Sequence, residues 1–209
     1  MTPPADPPAI LDSWLVRAGR AEGLDLHLDR FARSCRTLLG HRPPRWFLEE
    51  TAAACAGAEG EWFPCIRARR GRWEREMRPA PPRRASTVLW VGSDPDARRH
   101  PEHKGPDMPE LLALRERARE RGADDAVLHR GGEVVEAATA TLLFARGDTL
   151  LRPPGPRLPG VTERLWVRRW PGPVRTEVVS LAEAPALRCW ALSSLHGATP
   201  VTRWITPGS

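Results

Sequence analysis

A chain of 209 residues with 41% hydrophobic and 28% charged side chains can fold as one large domain or two small ones around a buried core. Its cysteines, Cys35, Cys55, Cys65 and Cys189, form no C-x-x-C pair and lie far apart. Reduced, buried thiols are therefore expected rather than a metal site or a disulfide scaffold. The formal charge of +6 and an isoelectric point near 10.3 raise nucleic acid as a partner, but no RRM, KH or zinc-finger pattern is present.

Residues 1–10 read as a disordered lead-in. Met1 to Pro8 is proline-rich and has neither the basic start nor the apolar core of a signal peptide, and no run is long enough to span a membrane. A cytoplasmic location is the default. Residues 11–17 predict a strand and Ala18-Gly19-Arg20 its turn. Leu24, His27 or Leu28, Phe31 and Leu38 then recur at helical spacing up to Gly40. A second helix is expected from about Pro44 to Ala56, with proline tolerated at its start. Residues 61–69 and 72–78 predict two strands joined at Arg70-Gly71. Their run from Arg67 to Arg75 interleaves arginine with Trp73, as single-strand binders do, yet Glu74 and Glu76 interrupt it. A solvated strand pair is expected there, and nucleic acid is not expected as a partner.

Pro79 to Arg84 predicts a loop and Thr87 to Val91 a strand. Ser93 to Pro101 is polar and rich in turn formers, so residues 93–101 read as a linker between a small α/β domain (11–92) and a larger one (102–209). Arg98, Arg99, His100 and His103 could meet a carboxylate, but a solvated linker is expected. Glu110 to Arg121 predicts an amphipathic helix with Leu111, Leu114 and Ala118 on one face, stopped by Gly122. Strands follow at 125–129, 134–137, 141–145 and 149–152, then a short helix from Glu163 to about Arg169. Strands at 175–181, 187–192 and 201–205 close the chain.

Lys104 is the only lysine, so every other basic residue in the total of 32 is arginine. Arginine keeps its proton at any accessible pH, whereas a desolvated lysine amine can lose it and attack a carbonyl. Biased coding could also leave one lysine on the surface by accident. The neighbours decide.

Gly23-Leu-Asp-Leu-His-Leu-Asp-Arg30 gives G-x-x-x-x-H-x-x-R, followed in order by Lys104, Val135-Glu136-Ala-Ala-Thr-Ala-Thr141-Leu142, Leu158-Pro-Gly-Val-Thr162 and Ser193-Ser194 before Pro200-Val201. In this order and spacing the chain resembles the class IV pyridoxal-phosphate aminotransferases, which include branched-chain and D-amino-acid aminotransferases and 4-amino-4-deoxychorismate lyase. The resemblance implies a two-domain α/β enzyme that binds pyridoxal 5′-phosphate as a Schiff base on Lys104. Lys104 would then act as base and acid at the substrate α-carbon. It implies Glu136 at the pyridine nitrogen. It also implies a phosphate site built from Arg30, Val161, Thr162 and Ser194, with Thr141 close by. The substrate would be an amino acid or amine, and a homodimer is implied.

The chain also departs from the family. It has no tyrosine, and Pro109 stands where several relatives place one. Thr141 occupies a common asparagine position, and Glu163 replaces the arginine that usually follows the L-P-G-[IV]-T threonine. Transamination is the first expectation, with aminodeoxychorismate lyase activity as the alternative. A basic binding protein on a decayed scaffold is the alternative outside enzymes.

Overall fold

Two glycines bound the first helix, as its apolar spacing predicts. In the computed structural model, which describes residues 9–69 and 71–206, β1 (Ile10–Ser13), β2 (Val16–Arg17) and β3 (Arg20–Ala21) lead into α1 (Leu24–Leu39). Gly23 and Gly40 flank α1 in the left-handed region, at φ 66° and 79°. Glycine adopts that conformation without steric cost. The helix turns His27, Arg30, Phe31, Ser34 and Cys35 inward. Next come α2 (Arg45–Ala56), β4 (Glu61–Trp62), β5 (Cys65–Arg69) and β6 (Arg72–Glu76). One small sheet runs β1-β5-β6 and another β3-β2-β4. Trp14, Phe31, Phe47 and Ile66 pack together as the core of this first unit.

Two expected strands are each divided. The stretch 11–17 breaks at Trp14-Leu15 and pairs with different partners on either side. The stretch 61–69 breaks at Phe63-Pro64, where proline cannot donate to a ladder. Ile10 is fully buried in β1, so the lead-in ends before it, and residues 1–8 lie outside the described residues. The arginine-rich pair β5–β6 is a solvated ladder, as expected, with Arg67 Nη1 2.9 Å from Glu76 Oε2.

The second unit holds an eight-stranded mixed sheet. It contains β7 (Thr87–Val91), α3 (Met108–Arg119), β8 (Asp125–Arg130), β9 (Glu133–Ala137), β10 (Thr141–Arg146) and β11 (Thr149–Arg152). After these come α4 (Val161–Arg169), β12 (Val174–Thr176), β13 (Arg188–Ser193) and β14 (Gly197–Ile205). The strand order is β12-β11-β10-β13-β14-β7-β8-β9. Strand β14 pairs with β13 through Gly197–Pro200 and with β7 beyond Val201, so one strand joins the two halves of the sheet. Leu89, Leu142, Phe144 and Leu151 fill its main core.

The chain divides differently from the expected boundary. One unit takes the chain up to Pro82 together with His103–Pro106; the other takes Arg83–Glu102 and Asp107 onward. Thr87–Val91 belongs to the second unit because it pairs in parallel with both β14 and β8. The 103–106 segment belongs to the first because Lys104 O accepts from Leu11 N at 2.9 Å. The expected strand at 175–181 is confined to β12, with one further bridge from Ser180 to Glu133. All four cysteines are free and buried.

Candidate functional site

Within the first unit, Lys104 is fixed through its backbone. Gly105 has φ +130°, and a Cβ there would stand 2.2 Å from Ala9 O. Only glycine lets this segment approach β1 so closely. The Lys104 side chain is half-buried, and among the described residues of this unit its amine has no hydrogen-bond or ion-pair partner. Burial pushes its pKa below the ordinary lysine value. Asp12 opposes that shift, while Arg30 adds to it.

Arg30 comes from the inward face of α1 and is held by Asp12 of β1. Its Nε lies 2.9 Å from Oδ2 and its Nη2 2.7 Å from Oδ1. His27 Nδ1 is also 3.0 Å from Asp12 Oδ1. Burial would raise the Asp12 carboxyl, but Arg30 and His27 outweigh it and hold Asp12 well below the carboxylate range. Burial also lowers the His27 pKa, against the pull of Asp12. Asp12 thus spends most of its charge on Arg30. His103 Nδ1 stands 3.0 Å from Ser34 Oγ of the same helix, so it is not part of a solvated linker.

The second unit gathers the other predicted residues. Glu136 is buried in β9 at 3% exposure. Its Oε1 accepts from Arg98 Nη1 at 2.5 Å and from Leu158 N at 3.2 Å. Burial raises its pKa and Arg98 pulls against the rise. Leu158 opens the Leu158–Thr162 stretch. Gly160, in its middle, lies so close to β10 that a Cβ there would meet Thr141 Oγ1 at 2.7 Å. Thr141 is paired with Leu192, two residues before Ser194, which sits half-buried in the turn after β13. Val161 and Thr162 begin α4, and no side chain caps that end. Backbone N–H groups at such an end have no partner within the helix and suit an anion.

Expectation failed at the segment 93–101. Asp96 and Arg98 are not solvated: their side chains are 0% and 7% exposed. Asp96 takes Arg98 through Nε and Nη2, both at 2.8 Å, and also Arg130 Nη2 at 2.8 Å. Asp107 accepts the backbone N–H groups of Arg99 and His100. Glu163 is likewise buried and ion-paired with Arg157 and Arg152.

The structure therefore groups the predicted residues in two sets, Arg30 and Lys104 in the first unit and Glu136, Thr141, Val161, Thr162 and Ser194 in the second. Sequence reasoning missed Asp12, Asp96 and Arg157, and it passed over His27 and Arg98. An acid inside an apolar strand and a histidine at an inward helical position were the available signals for Asp12 and His27.

The fit to a phosphorylated aldehyde cofactor rests on two observations. One is a half-buried lysine amine with no partner among the described residues of its own unit. The other is an uncapped helix N-terminus in the second unit.

The sequence profile of amino-transferase class IV matches residues 9–204. Among curated proteins none matches the chain. Solved structures share its fold. A fold IV transaminase from Curtobacterium pusillum is 21% identical with a TM-score of 0.79, covering 94% of this chain and 79% of that one. A PLP-bound hypothetical aminotransferase from Mycobacterium tuberculosis is 20% identical at 0.79, covering 94% and 81%. A proposed 4-amino-4-deoxychorismate lyase from Legionella pneumophila is 17% identical at 0.79, covering 94% and 82%.

Proposed function

This chain belongs to the class IV aminotransferases, a pyridoxal-phosphate-dependent enzyme family, and on that premise we propose that it moves an amino group from an amino acid or amine to a keto acid. The observation that supports this best is the chain's single lysine, half-buried, without a partner among the described residues of its unit and with its pKa lowered by burial. An ammonium at its ordinary pKa is almost never neutral at physiological pH; lowering that pKa shifts the group toward the free amine that carbonyl chemistry needs.

In this proposal Lys104 would hold the cofactor's carbonyl carbon. When bound, pyridoxal phosphate supplies an electron sink for charge that develops at the substrate α-carbon. Once the substrate amine had displaced it from the cofactor, Lys104 would be free to take a proton from the substrate α-carbon and return one. Glu136, whose pKa burial raises while Arg98 pulls against the rise, would hold a proton at the pyridine nitrogen. The phosphate would be bound by the N–H groups of Val161 and Thr162, the hydroxyls of Thr162 and Ser194, and Arg30. Asp12 already occupies two Arg30 nitrogens, so Arg30 would act more by its fixed N–H geometry than by net charge.

Homodimer formation and a cytoplasmic location belong to the same proposal. The first is implied by the family resemblance, and the second is consistent with four buried free thiols. Among the described residues no helix is long and apolar enough to cross a membrane.

The test is turnover of the cofactor-loaded protein with a panel of amino donors and a keto acid acceptor. Keto-acid-dependent amino transfer is the expected result. Release of 4-aminobenzoate and pyruvate from aminodeoxychorismate without an acceptor would replace transamination by lyase action.

A further inference from the structure

The loop from Pro153 to Gly160 joins β11 to α4 and carries Leu158 to Glu136. It has no helix or strand of its own. It stands beside a cavity of about 240 Å³ whose lining includes Arg152, Pro153, Pro154, Leu158, Glu163 and Thr176. A loop over a cavity lacks the close packing that fixes position elsewhere. Something else must hold it.

Polar contacts do. Arg157, at the middle of the loop, is only 9% exposed at its side chain. Its Nε donates to Pro153 O at 3.1 Å, which ties the loop back to its own start. Its other two nitrogens reach forward to α4. Nη1 lies 2.7 Å from Glu163 Oε2 and Nη2 2.6 Å from Oε1, a bidentate pair. Arg152, at the end of β11, adds its Nε to Glu163 Oε1 at 2.8 Å. One guanidinium thus fastens both ends of the loop, and one carboxylate anchors it to the first turn of α4. The residue after Arg157 donates its N–H to Glu136, and the residues before Glu163 are Val161 and Thr162.

We propose that the buried Arg157–Glu163 pair is a positioning device that sets the Leu158 amide on Glu136 and aims the N-terminus of α4 at the cofactor phosphate. Neither residue touches the reacting atoms in this scheme. The inference rests on the cofactor reading above, because its effect is expressed through cofactor affinity. Its geometry can be tested without the cofactor.

The experiment compares the wild-type chain with Glu163→Gln, Arg157→Gln and the double variant. Two quantities are measured: hydrogen exchange of the 153–161 amides in the cofactor-free protein, and the dissociation constant for pyridoxal 5′-phosphate. Glu163→Gln leaves the buried Arg157 without its carboxylate, and Arg157→Gln leaves Glu163 with Arg152 alone, so each is expected to speed exchange in this segment and weaken cofactor binding at least about tenfold. The double variant removes both charges and keeps the fold accessible. It is expected to be no worse than the worse single variant, because the two residues act as one unit. A merely structural role would lower the melting temperature and leave the dissociation constant within about twofold of wild type, and that result overturns the proposal. So do unchanged exchange in the single variants, or losses that simply add in the double. A wild-type chain that binds no pyridoxal phosphate overturns the cofactor reading and this inference together. A wild-type chain that binds it while the variants bind equally well overturns this inference alone.

Discussion

Arg98 Nη1 lies 2.5 Å from Glu136 Oε1, and the two side chains are 7% and 4% exposed. Asp96 grips the opposite edge of the same guanidinium, so one arginine balances two buried carboxylates. Burial alone would drive a proton onto each acid; Arg98 opposes that at both, and prevails at Asp96. Arg98→Met should therefore destabilise the cofactor-free protein by about 3–5 kcal/mol, the usual consequence of leaving buried charge uncompensated. Adding Glu136→Gln should recover part of that loss, because a neutral amide needs no counter-charge. Chemical denaturation measures both. A single-variant loss below about 1 kcal/mol would place the pair in the weak, solvent-screened class.

Lys104 gives a prediction of opposite sign. A half-buried ammonium with no partner among the described residues of its unit is a cost to the folded chain, so Lys104→Met should raise cofactor-free stability by on the order of 1 kcal/mol. The pH dependence follows from its lowered pKa. The folded chain releases this proton more readily than the unfolded one, so wild-type stability from this group rises with pH up to the ordinary value of 10.5. The advantage of the methionine variant should be largest near neutral pH and fade as pH approaches that value. Thermal melts across the alkaline range check it, and a gap that widens with pH would contradict it.

Gly160 and Thr141 form a close backbone-to-side-chain fit. A Cβ at 160 would stand 2.7 Å from Thr141 Oγ1 and 3.3 Å from Glu163 Cβ. Gly160→Ala should cost roughly 1–3 kcal/mol by overpacking and should weaken pyridoxal phosphate binding. Thr141→Ala removes the obstructing oxygen, so the double variant should regain stability relative to Gly160→Ala. An equally unstable double variant would show that the clash lies elsewhere.

Acid stability follows from the paired carboxylates. Burial raises Asp12, Asp96 and Glu163, but their arginine partners, joined at Asp12 by His27, outweigh it, and all three titrate below their ordinary values of 3.8, 3.8 and 4.5. Their stabilisation is complete above those values and is lost as pH falls through the lowered ones. Asp125 and Glu136 run the other way, because burial raises them and their contribution declines as pH rises. The stability gap between wild type and Glu163→Gln should therefore be full near neutral pH and shrink below about pH 4.5. Denaturant midpoints over the acid range measure the gap, and one independent of pH would contradict the ion-pair assignment.

Local pattern carried most of the secondary structure. The period of Leu24, Phe31 and Leu38 and the bounding glycines marked α1, because amphipathic spacing and left-handed ends are properties of neighbouring residues. Ser93–Pro101 misled for the converse reason. Its turn formers and charges resemble a solvated linker, yet Asp96 and Arg98 are buried because Glu136, 38 positions from Arg98, meets that arginine, and Arg130 meets Asp96. Polarity alone cannot reveal a partner so distant. Glu163 looked like a loss of family character, since its compensation by Arg157 depends on how a proline-rich loop turns back on itself. Lys104, Glu136 and the Leu158–Thr162 stretch were singled out by order and spacing, and Asp12 behind Arg30 was not, because nothing in a four-residue strand announces its partner.

The most direct test is to load the purified protein with pyridoxal 5′-phosphate, reduce it with borohydride and map the modified peptide. A yellow protein whose reduced cofactor is found on Lys104 is the expected result. A colourless protein, or label absent from Lys104, would contradict the assignment of this lysine as the cofactor's anchor.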